Sequence, residues 1–267
     1  MAFKDIDMQA PVEPPFRHGK PSRPDNERSL LQVLLHNYGP VGAARLMVSD
    51  VLSDLTRRVD TARPTGLHQA FDRVPADANR YVPSTYALID AVSARLAQEL
   101  DLAGTGFVDV GSGKGKALIR AAEGDWASVR GIELSPVLHR IAVRNLARRG
   151  PGKGELPGRV GEPGEESGDE RVRSELGDAA GLTLADHERV LYLFNPFSGK
   201  TLERCLDRIV MAGHRASRWL VYVNPTEHAA FSARFDLIEH TWVEPGHIEV
   251  AYFRTRSVTV PSESAPA

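Results

Sequence analysis

The chain has 267 residues, 42% of them hydrophobic, with a formal net charge of −2. That length and apolar share suit one large α/β domain with extensions or two small domains, and the charge excludes a uniformly basic nucleic-acid binder without excluding a local basic face. One cysteine, Cys205, excludes an internal disulfide and a cysteine metal cluster and fits a reducing cytoplasm, and no apolar run or N-terminal pattern marks a membrane span or a secretory signal.

In chain order, residues 1–28 carry Pro11, Pro14, Pro15, Pro21 and Pro24 among charges and are expected to form a disordered tail. Residues 29–80 read as a helical lead that packs on the main domain. Leu30, Leu31, Val33, Leu34 and Leu35 form a first helix stopped at Tyr38-Gly39-Pro40, and Val41 to Leu55 form a second. Residues 60–84 are irregular, punctuated by Pro64, Gly66, Pro75 and Pro83. Ser84 or Thr85 caps a helix from Tyr86 to Leu100 with Leu88, Ile89, Val92 and Leu96 on its apolar face.

The segment FVDVGSGKGKALIRAA, Phe107 to Ala122, follows. It reads as a buried strand, a turn through Gly111, Gly113 and Gly115, and a helix, an arrangement that offers backbone N–H groups and a positive helix end to a ligand. The glycine spacing is G-x-G-x-G, neither the dinucleotide G-x-G-x-x-G nor a P-loop, since Ser112 stands where the P-loop lysine would be. Asp109 at the strand end would repel a phosphate and attract a cation. S-adenosylmethionine carries a sulfonium, an ammonium and no phosphate; a nicotinamide site or a turn without a ligand remain the alternatives at this point.

A second strand, Val129 to Ile132, ends at Glu133, placed to accept hydrogen bonds from both ribose hydroxyls of an adenosine of either cofactor type. Ser135 and Pro136 open a helix on which Arg140, Arg144 and Arg148 recur at four-residue steps, ordinarily a solvated face. Residues 149–170, rich in glycine, proline and glutamate, read as a flexible insertion. A third strand, Arg171 to Leu176, leads into Gly177-Asp178-Ala179, a turn suited to an adenine. Val190 to Phe194 and Trp219 to Val223 are further strands, running into Asn195-Pro196-Phe197 and Asn224-Pro225, with a helix from Gly199 to Ala212 between them. Phe235 to Val243 and His247 to Arg254 close the chain as an antiparallel hairpin, and residues 257–267 are a second disordered tail.

From Tyr81 to about Arg256 the sequence resembles the class I S-adenosylmethionine-dependent methyltransferases. Within them it is similar to bacterial proteins akin to the disruptor-of-telomeric-silencing histone lysine methyltransferases. The pieces that carry the resemblance are YVPSTYALIDAV, FVDVGSGKGKALIRAA, GIELSPVLHRIAVRNL, GDA and LYLFNPF. It implies an α/β, Rossmann-like fold: a mostly parallel seven-stranded sheet with a reversed strand at the edge, in a domain spanning residues 81–256. It implies a donor pocket of Asp109, Gly111, Ser112, Gly113, Gly115, Glu133, Leu134, Asp178, Ala179 and Asn195, with Tyr81 and Phe197 as walls; separately, the histidines show no metal-ligand spacing, and no metal is expected. Pro83 stands where the histone enzymes carry an acid, and the basic nucleosome-binding tail is absent, so histone is not implied as acceptor.

Methyl transfer needs chiefly alignment of nucleophile, methyl and sulfur. Asn195, Tyr81 and Phe197 are therefore the expected catalytic residues, with the Asn195 carbonyl orienting a nitrogen nucleophile. The acceptor is open, with a protein side chain or small molecule favoured over RNA. The alternatives are a non-catalytic S-adenosylmethionine-binding module or an RNA methyltransferase.

Overall fold

The computed structural model describes residues 30–63, 65–79, 81–148, 170–243 and 248–256. The two expected tails and nearly all of the expected 149–170 insertion fall outside these residues.

The first helix, α1 (Leu30–Arg57), is broken at Gly39, whose φ of 64° and ψ of 172° are not helical, with Pro40 next in line. Its attachment to the rest of the molecule is at its last turns. The buried Asp54 carboxylate accepts from Thr61 N, Thr61 Oγ1 and Ala62 N, and Arg57 donates to Glu123 and lies over the Tyr86 ring. Val41, Val48, Leu52 and Leu55 are exposed, so the expected packing of the lead is not shared by this face. A short helix, α2 (Leu67–Ala70), lies in the stretch read as irregular.

Helix α3 (Tyr86–Leu96) is capped by Thr85, whose hydroxyl accepts from Leu88 N at 3.1 Å, and buries Leu88, Ile89, Val92 and Leu96. The sheet then alternates with helices: β1 (Gly106–Val110), α4 (Lys116–Ala121), β2 (Ser128–Glu133), α5 (Pro136–Arg148), β3 (Val172–Leu176), β4 (Glu188–Phe194), α6 (Gly199–Gly213), β5 (Trp219–Val223), α7 (His228–Ser232), β6 (Phe235–Val243) and β7 (Ile248–Thr255). The five-residue helix α7 is too short for the apolar periodicity that marks the longer helices.

The sheet runs β3-β2-β1-β4-β5-β7-β6, with β1 to β5 parallel and β7 antiparallel to both β5 and β6. The mostly parallel seven-stranded sheet is as expected, and its reversed strand lies one place in from the edge formed by β6. Side chains alternate along β1. Phe107 joins the core under α3 and α4, whereas Val108 and Val110 join the core under α6. Asp109 has the parity of Phe107, and its neighbours across the sheet are Gly131 on β2 and Tyr192 on β4. The strand order reverses between β1 and β4, and the crevice beyond the carboxyl ends of these strands is where ligands of open α/β sheets sit.

Candidate functional site

A cleft open to solvent occupies that crevice. Its floor is the turn between β1 and α4. Gly111 and Gly113 both have positive φ, 84° and 56°, which an L side chain rarely adopts. Each is also pressed by a neighbour: a Cβ on Gly111 would lie 2.3 Å from Pro196 Cβ, and one on Gly113 would lie 2.1 Å from Tyr81 Cε2. The expected reason for these glycines was approach of a ligand. The structure adds two close approaches from the chain itself, which hold Tyr81 and the Asn195-Pro196 loop over the floor.

Glu133, at the end of β2, is buried and braces the floor. Its Oε2 accepts from Gly113 N and its Oε1 from Ser135 N, both at 2.7 Å. Burial raises its pKa, while the Ser135 and Gly113 N–H bonds oppose the shift. Asp109 is 4% exposed, and burial, then the charge of Glu133, push its carboxyl up to about 8. Two buried acids at one cleft floor are unfavourable without a cation, and a positively charged ligand would relieve both. Ser112 lines the same floor, and its buried Oγ has no hydrogen-bond partner among the described residues. Its side chain occupies the space left by Gly131, where a Cβ would come within 2.6 Å of Ser112 Oγ.

Asp109, Gly111, Ser112, Gly113, Glu133, Leu134, Asp178, Ala179, Tyr81 and Phe197 all line the cleft, so most of the expected site is brought together. Asp178 turns the chain after β3 by accepting from Ala180 N at 2.9 Å, and Ala179 is buried. Leu134 is 42% exposed, an apolar surface beside Glu133. Tyr81 is fixed at both ends, its ring on Gly113 and its hydroxyl donating to Thr61 O at 3.2 Å.

Two expected residues stand elsewhere. Gly115 lies behind the floor as the left-handed N-cap of α4, facing Ala142 of α5, and does not line the cleft. Asn195 is also absent from the lining. Its Oδ1 accepts from Thr226 Oγ1 at 3.0 Å, Tyr222 Oη at 3.3 Å and Asn79 Nδ2 at 3.3 Å, and its backbone carbonyl accepts from Asn79 Nδ2 at 3.0 Å. With φ of 42°, Asn195 holds a left-handed turn that Asn tolerates better than most residues. The side chain and carbonyl expected to meet a nucleophile are thus engaged in holding the loop.

Besides Tyr81, residues 77–79 and 82–84 contribute walls that sequence reasoning left in an irregular stretch. Residues 77–79 run antiparallel to the loop after β4, through Asn79 N to Pro196 O, Ser198 N to Asp77 O, and a bridge between Ala78 and Phe197. Asp77 Oδ2 accepts from Thr201 N and Thr201 Oγ1, both at 3.1 Å, which caps the start of α6 from outside. Ser84, one of two expected caps, instead shares a 2.7 Å hydrogen bond with Tyr192 Oη at the cleft wall. The local sequence around Asp77 carries no signal for this role; it depends on Thr201, which is distant in the chain. Among the described residues no helix is long and apolar enough to cross a membrane and no group of acids, histidines and cysteine could hold a metal ion.

No family model matches the sequence, and no curated protein matches it. Solved structures similar to it include yhhF, a candidate methyltransferase from Escherichia coli, at 15% identity and a TM-score of 0.49, covering 67% of this chain and 90% of that one. The magnesium protoporphyrin IX methyltransferase of Synechocystis, solved with bound S-adenosylmethionine, matches at 17% identity and a TM-score of 0.42, covering 64% of this chain and 79% of that one. An RNA methyltransferase of Salinibacter ruber in complex with S-adenosyl-L-homocysteine matches at 18% identity and a TM-score of 0.41, covering 68% of this chain and 98% of that one. These likenesses are distant, and function has to be read from the cleft itself.

Proposed function

We propose that this protein is an S-adenosylmethionine-dependent methyltransferase acting on a nitrogen nucleophile. The observation that carries this reading is the 2.7 Å hydrogen bond from Gly113 N to Glu133. In a phosphate-binding loop such N–H groups point at the anion. Here one is held by a carboxylate, with a second buried acid, Asp109, alongside, so the floor suits a cationic adenosyl ligand and opposes a pyrophosphate.

The residues fit such a donor. Glu133 keeps lone pairs for the ribose hydroxyls, Leu134 and Ala179 offer apolar faces for an adenine, and Asp178 lies beside them. Asp109 would hold a cationic group of the donor, and Ser112 Oγ is a buried hydroxyl in need of a partner. The donor supplies an already activated methyl group, so the protein's work is alignment and exclusion of water. Tyr81 and Phe197 wall the cleft, and the Ser84–Tyr192 hydroxyl pair can accept a hydrogen bond from an N–H and orient its lone pair. Asn195 is assigned a positioning role: it fixes Pro196 against Gly111 and leaves contact with the nucleophile to these groups.

The test is transfer of labelled methyl groups from S-adenosylmethionine to separated protein, RNA and small-molecule fractions. Acid-stable label on any fraction supports the reading. Donor binding with no transfer to any fraction favours a non-catalytic binding module instead.

A further inference from the structure

We infer that α5 and the segment before α2 form a track for the phosphate backbone of single-stranded RNA, leading to the cleft, so that RNA is the acceptor class. The acceptor half rests on the methyl-transfer reading; the binding half does not.

Arg140, Arg144 and Arg148 are all exposed on α5, and the helix carries no acidic residue. Four helical residues rise about 6 Å, close to the reach between successive phosphates of an extended single strand. Like charges at four-residue steps are mutually unfavourable, and a solvated face would relieve them with interleaved acids. Helix α6 does so: Lys200, Arg204 and Arg208 recur at the same spacing with Glu203 and Asp207 between them, and Asp207 accepts from Arg234. On α5 no acid among the described residues pairs with the stripe, which favours an external polyanion.

The fold adds to the stripe what the sequence leaves distant. Arg148 Nη1 donates to the carbonyl of Arg58 at 3.4 Å, and Asp60 N donates to Asn145 of α5 at 3.0 Å, so residues 58–63 lie along this helix. Arg58 and Arg63 are exposed there, and neither is paired with a carboxylate among the described residues. Of the neighbouring acids, Asp60 faces Lys114 at 3.5 Å and Asp54 is buried by its own hydrogen bonds. Both elements also border the site. Thr65 and Leu67, just past Arg63, and Leu138, two residues before Arg140, line the cleft. Guanidinium groups bind phosphate oxygens in bidentate fashion, and a repeating row of them suits a repeating backbone better than the irregular carboxylates of an acidic protein.

The test is binding of labelled poly(U) RNA by fluorescence anisotropy across a salt series, with polyglutamate as the competing polyanion. Each lost phosphate contact on a single strand reduces the slope of log affinity against log salt by about 0.7, so R140E/R144E/R148E should lower it by about 2 and weaken binding at least tenfold at low salt. The control K200E/R204E/R208E on α6 should leave both unchanged. Unchanged S-adenosylmethionine affinity in both variants shows that the fold is intact, and loss of donor binding by the wild type with RNA binding retained would sink the methyl-transfer reading alone. The proposal is overturned if wild type does not bind RNA at low salt, if the α5 variant matches wild type, or if polyglutamate competes as well as RNA.

Discussion

Donor affinity should depend on pH through Asp109, and the size of the effect follows from its surroundings. Its carboxyl is pushed up to about 8 from an ordinary value of 3.8, first by burial and then by Glu133. The folded-state pKa is raised, so the carboxyl's proton stabilises the donor-free fold below the ordinary range, and that contribution is lost as pH rises through about 8. A cationic donor favours the ionised form, so its affinity changes in the opposite sense. With a pKa of about 8, roughly 1% of the free protein is ionised at pH 6 and about half at pH 8, so affinity should rise up to about 50-fold, or about 2.3 kcal/mol, over that window. Calorimetry at pH 6, 7 and 8, in two buffers of different ionisation heat, should also show release of about 0.9 proton per donor at pH 7. Asp109→Asn serves as reference, because the donor's own amine titrates equally in both proteins. The wild-type affinity should climb relative to that of the variant from pH 6 to pH 8. Parallel profiles would refute the placement of a cationic group against Asp109.

Other substitutions test the remaining parts. Glu133→Ala should weaken the donor by about 1.5–3 kcal/mol, since a charge-assisted acceptor is lost. It should also lower the melting temperature, because Gly113 N and Ser135 N lose their acceptor; calorimetry and thermal unfolding report the two effects separately. Asn195→Ala should lower stability by about 1–3 kcal/mol and keep turnover per folded molecule, whereas a loss near 10²-fold in turnover at unchanged donor affinity would restore Asn195 to the catalytic residues. Gly113→Ala should abolish donor binding, since its Cβ would overlap the Tyr81 ring, and Tyr81→Ala in the same chain should partly restore the fold as judged by circular dichroism.

The centre of the sheet was legible because β1, β4 and β5 carry short apolar runs bounded by a turn or a helix cap, and the Gly111–Gly115 turn announces itself by composition. Glu133, Asp178 and Ala179 could be placed because they follow strand ends directly, and strand ends on one edge share one crevice. Positions set by long-range contacts were not legible. The strap at residues 77–79 is ordered by Pro196, Ser198 and Thr201, more than a hundred residues away, and its local sequence shows only breakers. The direction of Asn195 depends on Thr226 and Tyr222 from the next strand and the loop after it, which no local pattern encodes. The arginine stripe on α5 was visible, but its extension by Arg58 and Arg63 required the fold to bring residues 58–63 against that helix.

For methyl transfer as proposed, the crevice beyond β1 and β4 must take a cationic adenosyl donor and oppose a pyrophosphate. Isothermal titration of the wild-type protein with S-adenosylmethionine and, separately, with NAD measures both requirements. Saturable one-site binding of S-adenosylmethionine is expected with a Kd on the order of micromolar, about −8 kcal/mol, and no binding heat from NAD. Saturable binding of NAD at similar strength, or no binding of S-adenosylmethionine at pH 8 where Asp109 is half ionised, would contradict the proposal.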